Sequence, residues 1–197
     1  HPEVEIVLNL TVPAGHTPIN VRALQAGKHA YVEKPLGIYL REGVDQIALA
    51  RDNGVRVGGA PDTFLGAGIQ TCRKLVDDGA IGKIVGGNAA MLGPGVETWH
   101  PNPEFYYKRG GGPMFDMGPY YLTALINLIG PIRQVAGATR MGREERHITS
   151  QPFAGQVIKV EVPTHVTGVL EFEAGAALTM TMSFDCHGSK IAPIELY

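Results

Sequence analysis

The sequence predicts two successive units. The first is an α/β remnant supplying the C-terminal half of a doubly wound parallel sheet. The second is an α+β unit with a mainly antiparallel, open sheet carrying helices on one face. Three observations lead there. Residues 1–59 alternate short apolar runs with stretches of helical periodicity, joined by connections short enough to make successive strands parallel. From residue 60 onward the pattern changes, and two neighbouring runs alternate apolar and polar residues across a short glycine-containing turn. Hydrophobic residues make up 44% of the 197-residue chain against 18% charged, enough to bury a core rather than leave the chain disordered.

In chain order, Glu5–Leu10 reads as a buried strand, and Thr17 and Pro18 as the cap and first position of a helix that stops at Gly27. His29–Glu33 is the second strand. Val44, Ile47, Ala48 and Arg51 recur at helical spacing within Arg41–Asn53, with Gly54 just past the end, and Val55–Gly59 forms the third strand. Such a half-sheet leaves one edge open and is expected to have had partner strands upstream. In the second unit, Leu65, Ile69, Cys72 and Val76 form the apolar stripe of a helix ending at Gly79. Lys83–Leu92 is a strand, followed by a loop rich in glycine, proline and aromatic residues up to Gly112. A helix over Asp116–Ile129 ends at Gly130-Pro131. Val166, Gly168, Leu170 and Phe172 then face one way, with His165, Thr167, Val169 and Glu171 opposite, and after the turn at Glu173–Ala176 Leu178, Met180, Met182 and Phe184 alternate with Thr179, Thr181, Ser183 and Asp185. The run Ile194–Tyr197 is again strand-like.

Composition narrows the function. A net charge of −2 gives no electrostatic footprint for nucleic acid. No apolar run reaches the length of a membrane span. The two cysteines, Cys72 and Cys186, are far apart and suit a reduced, cytoplasmic protein. No His/Cys pair stands at metal-ligand spacing, so no metal is expected. Glycine-rich phosphate loops are also missing: Gly66-Ala67-Gly68 falls inside a helical stripe and lacks the third glycine. The chain opens on His1-Pro2 just before a strand and closes within another, so it is expected to be part of a longer protein.

Two stretches combine residues that can carry chemistry. Glu33-Lys34-Pro35 ends a parallel strand, the edge at which open parallel sheets bind ligands. A lysine held in such a crevice can act as acid or base, although Lys34 paired with Glu33 at the surface accounts for the same pattern. Thr11 and Pro13 end the neighbouring strand, and His16 reads as part of the turn into the next helix. Asp116, Tyr120, Thr123 and Asn127 fall on one face of the helix that follows Gly110-Gly111-Gly112, and a polar stripe on an otherwise apolar helix marks a cleft or an interface. Asp116 as an N-cap and Tyr120 as a half-buried aromatic is the competing explanation.

Taken together, LNLTVPAGH…AGKHAYVEKPL and GGGPMFDMGPYYLTALINLIG resemble the signatures of the Gfo/Idh/MocA family of nicotinamide-dependent oxidoreductases, which includes glucose–fructose oxidoreductase and inositol dehydrogenase. The resemblance covers essentially the whole chain and identifies the first unit, residues 1–59, as the C-terminal half of a Rossmann-type cofactor domain whose glycine-rich loop would precede His1. Residues 60–197 correspond to the substrate-binding and dimerisation domain, continuing past Tyr197. On this resemblance Lys34 is the catalytic lysine, and Asp116 helps hold the substrate. Tyr120 stands where many members carry a catalytic histidine, and would need a cation such as Lys34 beside it to act as a base. Thr11, Pro13, His16 and Glu33 would face NAD or NADP, while Trp99, His100 and Tyr107 would border a sugar, polyol or inositol. The Thr179, Thr181 and Ser183 face of the sheet resembles the face through which members assemble into homo-oligomers. An NAD-dependent glycoside hydrolase and a non-catalytic nucleotide sensor are the alternatives the same resemblance leaves open. Without the glycine-rich loop, the 197 residues alone are expected to bind the cofactor poorly and to be inactive.

Overall fold

A computed structural model describes residues 1–197, which divide into two compact units, His1–Pro61 and Asp62–Tyr197. In the first unit β1 (Ile6–Asn9), β2 (His29–Val32) and β3 (Val57–Gly59) form a parallel sheet in the order β1-β2-β3. The connections are α1 (Pro13–Gln25) and α2 (Leu40–Asp52). Each helix ends just before a glycine in the left-handed region, Gly27 at φ 68° and Gly54 at φ 66°, where a side chain would be strained. Val7 and Asn9 of β1 and Ala30 and Val32 of β2 turn inward. On the opposite face Ile6 and Leu8 each stay 60% exposed. The apolar core here is small: Ala23, Leu24, Ala30 and Ala50, with Val7, Leu49, Val55 and Val57 packed around them.

One helix boundary differs from the expectation. α1 starts at Pro13, not Pro18, and Pro18 lies inside the helix. Both prolines suit a first turn, where the missing N–H costs nothing. The choice falls on Pro13 because β1 ends at Asn9, whose side-chain Oδ1 accepts from Thr11 N and Thr11 Oγ1 and turns the chain directly into the helix. Pro18 then forfeits one helical hydrogen bond.

The second unit begins with a 3₁₀ turn at Thr63–Leu65 and α3 (Ala67–Asp77), so Leu65 lies outside the helix whose stripe it was expected to join. After β4 (Gly86–Leu92) and a second 3₁₀ turn at Glu104–Tyr107 come α4 (Gly112–Asp116) and α5 (Gly118–Ile129). The remaining strands are β5 (Ile132–Arg140), β6 (Glu145–His147), β7 (Val157–Lys159), β8 (His165–Phe172), β9 (Ala177–Ser183) and β10 (Ile194–Leu196). Five of them form one sheet in the order β10-β4-β9-β8-β5, in which β4 and β9 are parallel and the other neighbours antiparallel. β6 and β7 pair separately. Leu125 of α5 is fully buried against Leu170, Phe172, Leu178, Met180 and Met182 of the sheet. No helix is long and apolar enough to cross a membrane.

The single helix expected over Asp116–Ile129 is two. Pro119 sits in the first turn of α5, and Met117 between the helices carries the chain from α4 to α5. Asp116 is therefore the last residue of α4 rather than an N-cap, and only Tyr120, Thr123 and Asn127 share the α5 face. On the sheet's solvent side, Thr167 Oγ1 and Thr181 Oγ1 lie 3.0 Å apart, and Thr179 donates to Asn88. Ser183 continues that face at the end of β9 but is not exposed. It is buried, 3.0 Å from His165 Nδ1, and its hydroxyl accepts from Asp185 N.

Candidate functional site

In the first unit the chemistry-bearing residues gather at the carboxyl ends of adjacent parallel strands, the position of ligand sites in open α/β sheets. β1 runs out into Thr11, Val12 and Pro13, and Thr11 and Val12 are exposed. β2 runs out into Glu33 and Lys34, both half-buried. The ladder continues one step past β2, since Glu33 N donates to Asn9 O, and the Glu33 carboxylate accepts from Lys34 N at 3.1 Å. Gly15 leaves room for the Thr11 side chain: a Cβ there would stand 2.5 Å from Thr11 Oγ1 and force it to shift. The sequence places His16 among the cofactor-facing residues, but its ring is 1% exposed. Nδ1 lies 2.6 Å from Pro35 O and Nε2 2.8 Å from Thr11 O, so neither nitrogen is left for a ligand.

In the second unit Tyr106, Asp116 and Tyr120 share one electrostatic neighbourhood. Burial, then the charge of Asp116, then Tyr120, push the Tyr106 hydroxyl up to about 12. It therefore stays protonated across the physiological range and serves as a hydrogen-bond donor rather than a base. The Tyr106 ring meets His100 edge-on at 4.9 Å, and His100 in turn meets Trp99 at 5.4 Å and Phe105 at 5.7 Å. Trp99 is 65% exposed, a broad apolar surface beside these polar groups. Of the three loop residues singled out in the sequence, Trp99 and His100 belong to this cluster and Tyr107 does not.

Tyr107 is fully buried in a second core with Val96, Ile148, Ile158, Val160 and Phe184. Its hydroxyl donates to the Glu97 carboxylate, and burial, followed by that bond and charge, pushes it well above the ordinary tyrosine range. The neighbour Tyr106, half-buried, lies beside His100 instead. In a 3₁₀ turn successive side chains point about 120° apart, so Tyr107 enters the core while Tyr106 packs only at its edge. Glycines set this geometry. Gly110 and Gly112 hold φ of 88° and 83°, and a Cβ on Gly111 would stand 2.5 Å from the carbonyl oxygens of both Phe105 and Tyr106.

Glu97 also anchors the loop from below. Arg146, 3% exposed, donates through Nη1 to Glu97 Oε1 and Pro94 O, each at 3.0 Å, and through Nη2 to Asp185 and Phe184 O. Asp185 accepts a further bond from Thr164 Oγ1 at 2.6 Å. Ser150 Oγ donates to His100 O at 2.6 Å. Nothing in the sequence marked Arg146, which stands in a three-residue strand without periodicity. No three His, Cys, Asp or Glu side chains gather as metal ligands.

Comparison with known proteins covers nearly the whole chain. Residues 1–60 match the model of the oxidoreductase family with an NAD-binding Rossmann fold, and residues 69–197 match the GFO/IDH/MocA C-terminal domain. A dTDP-3,4-didehydro-2,6-dideoxy-alpha-D-glucose 3-reductase of Streptomyces antibioticus is 34% identical over 161 residues, 80% of this chain and 46% of the relative. A D-xylose dehydrogenase of Paenarthrobacter nicotinovorans is 26% identical over 178 residues, 87% of this chain and 45% of the relative. The chain thus spans about half the length of these curated relatives. Among solved structures, an oxidoreductase domain protein from Kribbella flavida superposes with a TM-score of 0.82 at 25% identity, covering 100% of this chain and 52% of that one. The apo form of levoglucosan dehydrogenase reaches a TM-score of 0.82 at 22% identity, over 95% of this chain and 51% of that one, and shares the fold.

Proposed function

Because the chain belongs to the GFO/IDH/MocA oxidoreductase family, we propose that the protein carrying it moves two electrons between NAD or NADP and a hydroxyl or carbonyl carbon of a sugar-like substrate. The observation that carries this reading is Lys34, half-buried at the carboxyl end of β2 beside the Thr11 turn that ends β1. The residues present fit the nicotinamide end of a dinucleotide: adjacent strand ends with an exposed hydroxyl side chain, a carboxylate and a cation. Thr11, Pro13 and Glu33 would hold that end. When bound, the nicotinamide supplies the two-electron acceptor or donor, and the protein supplies orientation and charge.

Lys34 exchanges the proton of the reacting oxygen: the Nζ amine takes it as a hydroxyl is oxidised and the ammonium returns it as a carbonyl is reduced. Asp116 and Tyr120 hold the sugar hydroxyls, with Tyr106 as a fixed donor. Trp99 and His100 border the substrate, where the exposed indole face suits the C–H face of a sugar ring. The curated relatives named above are a sugar dehydrogenase and a nucleotide-sugar reductase, which supports this substrate class. Both cysteines are free, in accord with a reduced, cytoplasmic location. The threonine-lined face of the five-stranded sheet is proposed as the contact through which the protein forms a homo-oligomer.

A panel of aldoses, deoxysugars and inositols, incubated in turn with NAD and NADP and the intact protein, tests the assignment through the absorbance of the reduced cofactor. Turnover of at least one sugar is expected, with inositols weaker or inert if the relatives' substrate class carries over. Release of free sugar from a glycoside without net change of cofactor would contradict the assignment.

A further inference from the structure

The first unit has an inward face that is apolar at one end and polar at the other. α1 turns His16, Asn20, Ala23 and Leu24 inward, and α2 turns Gln46 and Ala50 inward. Ala23, Leu24 and Ala50 form the apolar end. His16, Asn20 and Gln46, with Asn9 at the end of β1, form the polar end, and none is more than 2% exposed. Burying four such side chains is costly unless each finds partners.

They find them in a continuous chain. Asn9 Oδ1 accepts from Thr11 Oγ1 at 2.8 Å, and Asn9 Nδ2 donates to Asn20 Oδ1 at 2.9 Å and His16 O at 3.2 Å. Asn20 Nδ2 donates to Gln46 Oε1 at 2.8 Å. Gln46 Nε2 donates to Leu36 O at 3.2 Å, with Thr17 Oγ1 and Glu42 O also in reach. The His16 ring completes the circuit between Thr11 O and Pro35 O, donating to one of the two carbonyls in each neutral tautomer and packing against the other. Besides contacts within α1 and α2 themselves, the chain reaches two segments outside the helices: the turn at Thr11 after β1, and Pro35-Leu36, which follow Lys34 after β2. Apolar side chains could replace the Asn20–Gln46 pair at little cost, but they would leave the carbonyls of Thr11, Pro35 and Leu36 without donors. A satisfied polar network instead fixes one geometry.

We propose that His16 and Gln46 are positioning residues, which hold the Thr11 turn and the Lys34 segment at a fixed spacing through the backbone carbonyls of Thr11, Pro35 and Leu36. They touch neither substrate nor cofactor. The proposal rests on the reading of Lys34 as the proton-exchanging group, and it assigns His16 a role other than the cofactor contact expected from the sequence.

The test uses His16→Leu and Gln46→Met in the intact protein, with His16→Gln as the conservative variant and Lys34→Ala as reference. In the cofactor-free protein, hydrogen exchange in peptides covering residues 10–13 and 33–37 is expected to accelerate about tenfold or more, with peptides of the second unit unchanged. The kcat is expected to fall roughly ten- to a hundredfold, the cost of a misplaced reacting group. Cofactor affinity and the KM for sugar should stay within about threefold, and His16→Gln should recover part of the rate. Uniformly faster exchange across the protein, or a loss appearing entirely as weaker cofactor binding, would overturn the proposal. So would normal turnover of folded His16 and Gln46 variants beside an inactive Lys34→Ala. Full turnover by Lys34→Ala itself would overturn the reading of Lys34 and, with it, the proposal.

Discussion

Replacing Lys34 by alanine in the intact protein is expected to lower kcat/KM for the sugar roughly 10²- to 10⁴-fold, the usual contribution of a positioned acid or base. Unfolding midpoints measured beside the kinetics separate this loss of chemistry from any loss of fold. Lys34→Arg separates the two ways a cation can help. Arginine keeps the charge but does not give up its proton in proteins, so a proton-exchanging lysine is not replaced by it. Steady-state kinetics should therefore find Lys34→Arg nearly as slow as Lys34→Ala. Near-native activity of Lys34→Arg would show that the site needs a fixed charge at that position and takes its proton elsewhere.

The largest loss of stability is expected at Arg146. Its side chain is 2% exposed beside the Glu97 and Asp185 carboxylates, at 7% and 20%. Removing the guanidinium by Arg146→Met leaves two largely buried carboxylates without their cation. Breaking a buried ion pair in this way costs about 3–5 kcal/mol, because the unpaired charge cannot return to water. Denaturant unfolding should show the loss as a lower midpoint. The double variant Arg146→Met/Glu97→Gln should be less destabilised than the sum of its single substitutions, since it removes one of the stranded charges. A single-variant loss under about 1 kcal/mol would mean that Arg146 is not the anchor of this core. The effect reaches the candidate site. Glu97 also holds Tyr107, and the same loop carries Trp99, His100 and Tyr106, so hydrogen exchange there should rise with the loss of Arg146.

What was legible in the sequence follows from how each residue is used. β8 and β9 could be read because one face is buried, so period-two alternation is imposed on both, and Leu170 pairs with Leu178 in the observed register. β5 could not. As an edge strand it is exposed at every position but Ile132, which leaves no periodicity to detect. The break between α4 and α5 was carried by Pro119, but the apolar run continuing past it outweighed the proline. Lys34 and Asp116 could be singled out because short motifs surround them. Arg146 had no such signal: its carboxylate partners lie 49 and 39 residues away, and only tertiary structure brings them together. His16 was visible as a residue but not as a clamp, because its partners are backbone carbonyls, which every residue has. The burial of Tyr107 had no signal either, since Tyr106 and Tyr107 share one sequence context and only the 3₁₀ turn sends one into the core and leaves the other at its edge.

The central claim is that the protein carrying this chain transfers hydride directly between a sugar carbon and a nicotinamide cofactor. The most direct measurement places deuterium on the reacting carbinol carbon of the sugar found most active, and follows it by mass spectrometry after turnover by the intact protein. One deuterium is expected in the reduced cofactor for each sugar oxidised, none released to water, and transfer slowed roughly 10²- to 10⁴-fold with Lys34→Ala. Deuterium retained in the sugar or washed into solvent, with the cofactor unlabelled, would contradict that claim.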